Sequence, residues 1–329
     1  MTTPTRILIV GDSISHGREG DWTWRYRLWQ WTRLYGVQAE FVGPYQGTVP
    51  PVDPDPPRPP PLPTDPDPPA RGWPRSDGGY AQGVDAEFLA CCRHFAVGGR
   101  QAMQAKHLVA EQIAELQPDL CLVQLGFNDL AWGVSGPRDT LASTRELVAR
   151  ARSVNPSLKF AIANVPHRTP YFGGEALPGL TDAYNALLAD AIPKWSTPSS
   201  PTIHVPFCEH YTPSSATYDG LHPNSLGDYQ LCYAFTAALT APGSFFPGLP
   251  PSPSSLPRPA PYPPPLPSPP SPPPPAPASP GPPSTAPSAT SSASAQPTPN
   301  NGRPPASLPC CIRPSLPRLT SSPTPKKYW

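Results

Sequence analysis

Two spacings of apolar residues alternate along the first 245 residues of the chain. One is short and nearly continuous, as in Ile7-Leu8-Ile9-Val10 and in residues 120–125. The other recurs with a helical period, as in Met103, Ala105, Val109, Ile113 and Leu116, at steps of two, four, four and three. The short runs predict strands at 6–10, 39–43, 120–125, 158–163 and 202–205. The periodic stretches predict helices at 22–35, 100–116, 137–154, 181–195 and 224–239. Pro137 falls in the first turn of its helix, where a missing N–H costs nothing. Asn224 is placed to cap the last helix.

Strands that alternate with helices and are apolar on both faces imply a parallel sheet covered on both sides. The expected fold is α/β: a three-layer α/β/α sandwich with about five parallel strands. In such a fold the site lies beyond the carboxyl ends of the strands, near the point where strand order reverses.

Composition divides the chain. Proline accounts for 59 of 329 residues, far above the usual level of about 5%, and it concentrates in two stretches. Residues 49–74 read as a surface insertion. Residues 246–329 read as a tail of Pro, Ser, Ala and Thr with too few large apolar side chains to offset ordering entropy, so disorder or polyproline II is expected there. The expected domain is thus 1–245. Only 14% of residues are charged and the net charge is +1, which gives no electrostatic case for nucleic acid or an anionic membrane. No apolar run approaches the roughly 20 residues of a membrane span. The polar start before residue 6 does not read as a secretory signal, so a cytoplasmic protein is expected. The seven cysteines show no metal-ligand spacing, and no metal or other cofactor is expected. Cys121 and Cys232 read as small core residues.

Four segments at strand ends or helix starts can carry chemistry. Gly11-Asp12-Ser13 follows the first strand, so the Ser13 hydroxyl is presented at the sheet edge; it is not a Gly-x-Ser-x-Gly elbow, because Ser15 takes the last position. Asp219-Gly220-Leu221-His222-Pro223-Asn224 precedes the last helix. An acid three residues before a histidine can hold its Nδ1 proton and leave Nε2 facing a nucleophile. Gly126-Phe127-Asn128-Asp129 follows the 120–125 strand, where the Asn128 amide can donate to an oxyanion. Val97-Gly98-Gly99-Arg100 precedes a helix, and a glycine there allows close backbone approach.

In that order and spacing, the four segments resemble the SGNH (GDSL-type) hydrolase superfamily, named for its Ser, Gly, Asn and His. The stretches Gly11 to Gly17, Asp21-Trp22-Thr23-Trp24-Arg25 and Phe95 to Gln101 look like a branch near carbohydrate esterase family three, which includes acetyl xylan esterases. The resemblance covers about the first 245 residues. It implies a flavodoxin-like sandwich and cofactor-free ester hydrolysis, probed best with short acyl, above all acetyl, esters of a carbohydrate or small alcohol. It implies Ser13 as nucleophile, His222 as base and Asp219 as its orienting acid. The oxyanion donors it implies are Ser13, Asn128 and Gly99, with Gly98 an open alternative to Gly99. The insertion and the tail depart from a compact deacetylase.

Other residues take secondary readings. Asp12 and Asp129 brace their own turns. His16, close to Ser13, competes for the base only if the Asp219–His222 pair has no role. Trp22 and Trp24 read as helix packing, with a sugar-binding rim including Trp132 as the alternative. Asn164 follows a strand and is a weaker candidate for substrate contact. Arg25 and Arg27 read as solvated or snorkelling. Two rival functions stand beside the esterase. One is an idle hydrolase-fold platform whose Pro-x-x-Pro segments, such as Pro264-Pro265-Leu266-Pro267, dock SH3- or WW-type domains. The other is a lipase or lysophospholipase.

Overall fold

The structure, a computed structural model, describes residues 3–51 and 75–256. Most of the 49–74 insertion and nearly all of the 246–329 tail lie outside the described residues. The expectations of a surface loop, a disordered tail and SH3- or WW-type docking fall there.

Six strands form one sheet: β1 (Thr5–Gly11), β2 (Ala39–Val42), β3 (Phe95–Ala96), β4 (Leu120–Gln124), β5 (Lys159–Ala163) and β6 (Thr202–Val205). All pairings are parallel, and the order is β2-β1-β4-β5-β6. The five long strands are those expected. The short β3 was not, since two residues have no readable period. It extends the β2 edge: β2 pairs with Thr5 to Leu8, and β3 continues along Val10 and Gly11.

The chain goes from β1 to β2 on one side, then crosses to β4 on the other. The order therefore reverses between β1 and β4, and their carboxyl ends open on a crevice. Burial explains the apolar strand runs: residues 7–10 and 120–123 are each at most 1% exposed.

The helices are α1 (Ser13–His16), α2 (Trp24–Leu34), α3 (Ala86–Cys91), α4 (Ala102–Leu116), α5 (Phe127–Ala131), α6 (Pro137–Val154), α7 (Leu177–Trp195), α8 (Phe207–His210), α9 (Pro213–Ala216) and α10 (Ser225–Thr240). They flank the sheet in two packed groups, α2 with α10, and α4 with α6 with α7. In α4 the buried stripe is Ala102, Ala105, Val109 and Ile113, while Met103 and Leu116 are only half-buried. Cys121 and Cys232 are core residues. Among the described residues no helix is long and apolar enough to cross a membrane.

Packing against the domain continues beyond residue 245. The Phe246 ring lies 6.0 Å from that of Trp31. Trp31 Nε1 donates to the Pro250 carbonyl at 2.8 Å, and the Ser252 N–H donates to Thr236 Oγ1 at 2.9 Å. Phe245, Phe246 and Leu249 supply the apolar surface that seats this segment; the prolines around them hid it in the sequence.

Candidate active site

The first component is built where β1 ends. Any side chain at Gly11 would meet that of Ser15, so glycine lets the next turn fold back under the strand. Asp12 is the N-cap of α1. Its Oδ1 accepts from Ile14 N at 2.9 Å, and its carbonyl accepts from His16 N at 2.8 Å. Ser13 is then the first residue of the turn, and its N–H is one of the donors a helix start leaves free.

Beneath it runs a buried polar chain. Trp24 Nε1 donates to Ser15 Oγ at 3.1 Å, and Ser15 Oγ donates to Gln124 Oε1 at 3.0 Å. Gln124 Nε2 reaches Asp12 Oδ2 at 3.5 Å. Burial pushes the Asp12 carboxyl up to about 7, against the pull of the Ile14 hydrogen bond.

The far end of α1 is held by Arg25, which corrects the expectation that this side chain is solvated. It is 1% exposed. Its guanidinium donates to the carbonyls of Ser15 (2.8 Å), His16 (3.0 Å), Gly47 (2.9 Å) and Cys92 (3.1 Å). A cation at the carboxyl end of a helix turn complements its dipole. Arg27 differs: it lies over the Trp22, Tyr26 and Tyr229 rings.

The second component is the 217–224 loop. Thr217 and Pro223 form an antiparallel bridge, and Tyr218 N donates to the His222 carbonyl at 3.1 Å. Gly220 has φ +89° and lies against Thr169, leaving no room for a Cβ. Asn224 Oδ1 accepts from Leu226 N and Gly227 N, capping α10. In this frame Asp219 Oδ1 accepts the backbone N–H groups of Leu221 (3.0 Å) and His222 (2.8 Å). Its Oδ2 lies 2.6 Å from His222 Nδ1, and His222 Nε2 lies 2.8 Å from Ser13 Oγ. Burial acts to raise the Asp219 carboxyl, but the hydrogen bonds and charge of His222 outweigh it and hold it at about 2.

The third component is the 126–129 turn after β4. Gly126 has φ +115°, which favours glycine. Asn128 is buried, and its Nδ2 donates to the Arg100 carbonyl at 3.1 Å. An amide NH₂ has two protons, so one is left over. The Asp129 carboxylate accepts from Ala102 N (2.8 Å) and Met103 N (3.1 Å), fixing the start of α4. In the fourth component, Val97 N donates to Gly11 O at 3.1 Å, continuing the β3–β1 ladder, and Arg100 N closes a turn onto Val97 O at 3.1 Å. Gly99, at its apex, has φ +73°.

Thus Ser13, His222 and Asp219 form one hydrogen-bonded line. Asn128 is tied to the turn carrying Gly98 and Gly99, and that turn is tied to β1. Other candidates lie elsewhere. His16 Nε2 faces Ser76 rather than Ser13. Trp24 stacks on Phe235 at 4.7 Å, and Trp22 on Tyr26 at 5.7 Å, as packing. Trp132 is half-buried. Asn164 is buried, its amide donating to Glu209 and its oxygen accepting from Cys208 N, so it staples β5 to α8. Among the described residues no cluster of three or more His, Cys, Asp or Glu is arranged for a metal.

Some neighbours were not anticipated. The Tyr218 ring stacks on His222, centroids 5.7 Å apart and planes 16° apart, and the Arg18 guanidinium lies 3.5 Å from the Tyr218 centroid. Gln124 had a readable signal, a polar residue inside an apolar strand. Tyr218 had only its place beside Asp219.

A family model described as the GDSL-like lipase/acylhydrolase family matches residues 51–229. That span holds the Gly98–Gly99, Asn128 and Asp219–His222 segments and begins after Ser13. Among solved structures, the chain is similar to an acetyl esterase mutant with acetate ion (19% identity, 69% of this chain and 92% of that one, TM-score 0.51). It is also similar to a carbohydrate esterase family 3 protein from Talaromyces cellulolyticus (19%, 70% and 94%, 0.53). A Clostridium thermocellum family 3 carbohydrate esterase gives 16%, 72% and 95%, and 0.52. At such identities these likenesses establish the fold. A search of curated proteins matched none. With more than half of its 329 residues matched by the family model, the chain belongs to the GDSL-like lipase/acylhydrolase family and is a carboxylic ester hydrolase.

Proposed function

We propose that the protein hydrolyses short-chain acyl esters, acetyl above all, of a carbohydrate or small alcohol, with Ser13 as nucleophile. The observation that carries this reading is the continuous line from Ser13 Oγ through the His222 imidazole to Asp219. Ser13 Oγ attacks the carbonyl carbon as its proton passes to His222 Nε2. The oxyanion is met by the N–H of Ser13, the N–H of Gly99 and the spare amide proton of Asn128. As the intermediate collapses, the imidazolium gives its proton to the departing alkoxide, which leaves as the alcohol. A water then adds to the acyl-Ser13 carbonyl and loses its proton to His222, which returns it to Ser13 Oγ as the carboxylic acid departs. Asp219 fixes the imidazole with Nδ1 protonated and stabilises the imidazolium.

The acetyl preference is supported by the fold neighbours described as an acetyl esterase and as family 3 carbohydrate esterases. The test is a p-nitrophenyl ester series from acetyl to palmitoyl, run with acetylated sugars and phospholipids. Highest kcat/KM on acetyl esters, lost in Ser13→Ala, is the expected result. A rate that climbs with chain length favours the lipase or lysophospholipase reading. Folded wild-type protein with no activity on any ester favours the idle platform.

A further inference from the structure

We propose that His16 is a positioning residue for the hydrolysis: by accepting the Gly98 N–H at Nδ1, it fixes the 97–100 turn so that the Gly99 N–H alone is offered to the oxyanion. This rests on the reading that the turn forms part of the oxyanion hole.

The backbone donors of residues 96–100 can be accounted for one by one. Ala96 N donates to His94 Nδ1 at 3.1 Å. Val97 N donates to Gly11 O, and Arg100 N to Val97 O. Gly98 N donates to His16 Nδ1 at 3.3 Å. Among the described residues, Gly99 N has no acceptor. A buried N–H left without a partner costs free energy, and Gly99 is buried. The arrangement is explained if a substrate oxygen is its partner. It also decides between the two glycines, because Gly98 has already spent its proton.

The tautomer of His16 follows from the same contacts. A backbone N–H can only donate, so Nδ1 accepts and the ring proton is on Nε2. Nε2 donates to Ser76 Oγ at 2.9 Å, and Ser76 Oγ donates to Gln46 O at 2.6 Å. His94, its ring 5.3 Å away, repeats the pattern, with Nδ1 toward Ala96 N and Nε2 toward Gly47 O at 3.1 Å. Both rings must stay neutral to accept. Burial, then the charge of Arg25, lower both; Arg100 adds to this for His16, which is held at about 3. His16 closes the turn that Ser13 opens, so one short helix aims both the nucleophile and the donor loop.

The test compares His16→Leu, which keeps volume without an acceptor, with His16→Asn, whose amide oxygen can stand where Nδ1 stood. Enzyme concentrations are set by fluorophosphonate active-site titration. The expected result is a kcat for His16→Leu lower by about 10- to 100-fold, short of the roughly 10²–10³ for losing a whole oxyanion donor. KM should stay within about threefold, and His16→Asn should recover most of the loss. Wild-type kcat in titrated His16→Leu, or His16→Asn no better than His16→Leu, overturns the proposal. If His16→Leu does not fold, ¹⁵N spectra of wild-type His16 decide: an unprotonated Nδ1 and protonated Nε2 at pH 7 support it, and the opposite tautomer or an imidazolium overturns it. Ser13→Ala and Asn128→Ala run alongside. Full activity in both sinks the site itself; loss in both with normal His16→Leu sinks only this inference.

Discussion

His16 lies three residues from Ser13 and His222 lies 209 away, yet the distant histidine reaches the hydroxyl. The two environments explain why. His222 has a carboxylate on Nδ1 and a partly exposed ring, at 14%. Proton uptake there creates a charge with a partner beside it. His16 is buried, meets no carboxylate among the described residues, and faces the charges of Arg25 and Arg100. Taking up a proton there would add a third cation and break the bond from Gly98. On the proposed mechanism His222 carries a proton between Ser13 and the leaving group, while His16 keeps its proton on Nε2 and accepts at Nδ1. On this reading surroundings, not sequence proximity, separate the proposed base from the scaffold.

This contrast can be broken most severely at His222. Replacing it in His222→Ala should lower kcat by roughly 10⁴–10⁶ while substrate binding survives; loss below about tenfold in single-turnover assays would remove it as the base. Asp219→Asn keeps the shape but offers Nδ1 the wrong partner, and a fall of about 10⁴ is expected. Asn128→Ala should cost about 10²–10³ in kcat with the fold intact, as judged by circular dichroism. Near-normal turnover would take Asn128 out of the site.

On the scaffold side the readout is stability. Arg25→Met strands four carbonyls and should cost about 3 kcal/mol or more in urea unfolding. Arg27→Met loses ring contacts worth about 1 kcal/mol. Equal losses would mean that Arg25 is not the keystone of α1. The smallest effect is the pH dependence of Asp219. Its folded value, about 2, lies below the 3.8 of a free carboxyl, so its contribution is present above pH 4 and fades as pH falls toward 2. The stability gap between wild type and Asp219→Asn should narrow as pH falls from about 4 toward 2. A gap that widens over that range contradicts the lowered Asp219 carboxyl.

The parts legible in the sequence are those written locally. The five long strands and the helices at 102–116 and 137–154 follow from period alone. Asp219 and His222 are three residues apart, so one loop contains their whole relationship. What stayed hidden depends on distant chain. Arg25 looked like a surface residue because its acceptors are carbonyls up to 67 residues away, and carbonyls carry no sequence signal. His16 looked like a rival base because its partners, Gly98 and Ser76, lie 82 and 60 residues on. Asn164, a weaker candidate for substrate contact, is spent on α8. The seat of Phe246 and Ser252 was masked by proline.

The central claim is that Ser13 is the serine activated by His222. Wild type and His222→Ala should be treated with a fluorophosphonate and mapped by peptide mass spectrometry. The account predicts a single adduct on the peptide bearing Ser13 in wild type, stoichiometric with loss of esterase activity and slowed by orders of magnitude in His222→Ala. An adduct on any other residue that tracks inactivation, or full esterase activity with Ser13 modified, would contradict it.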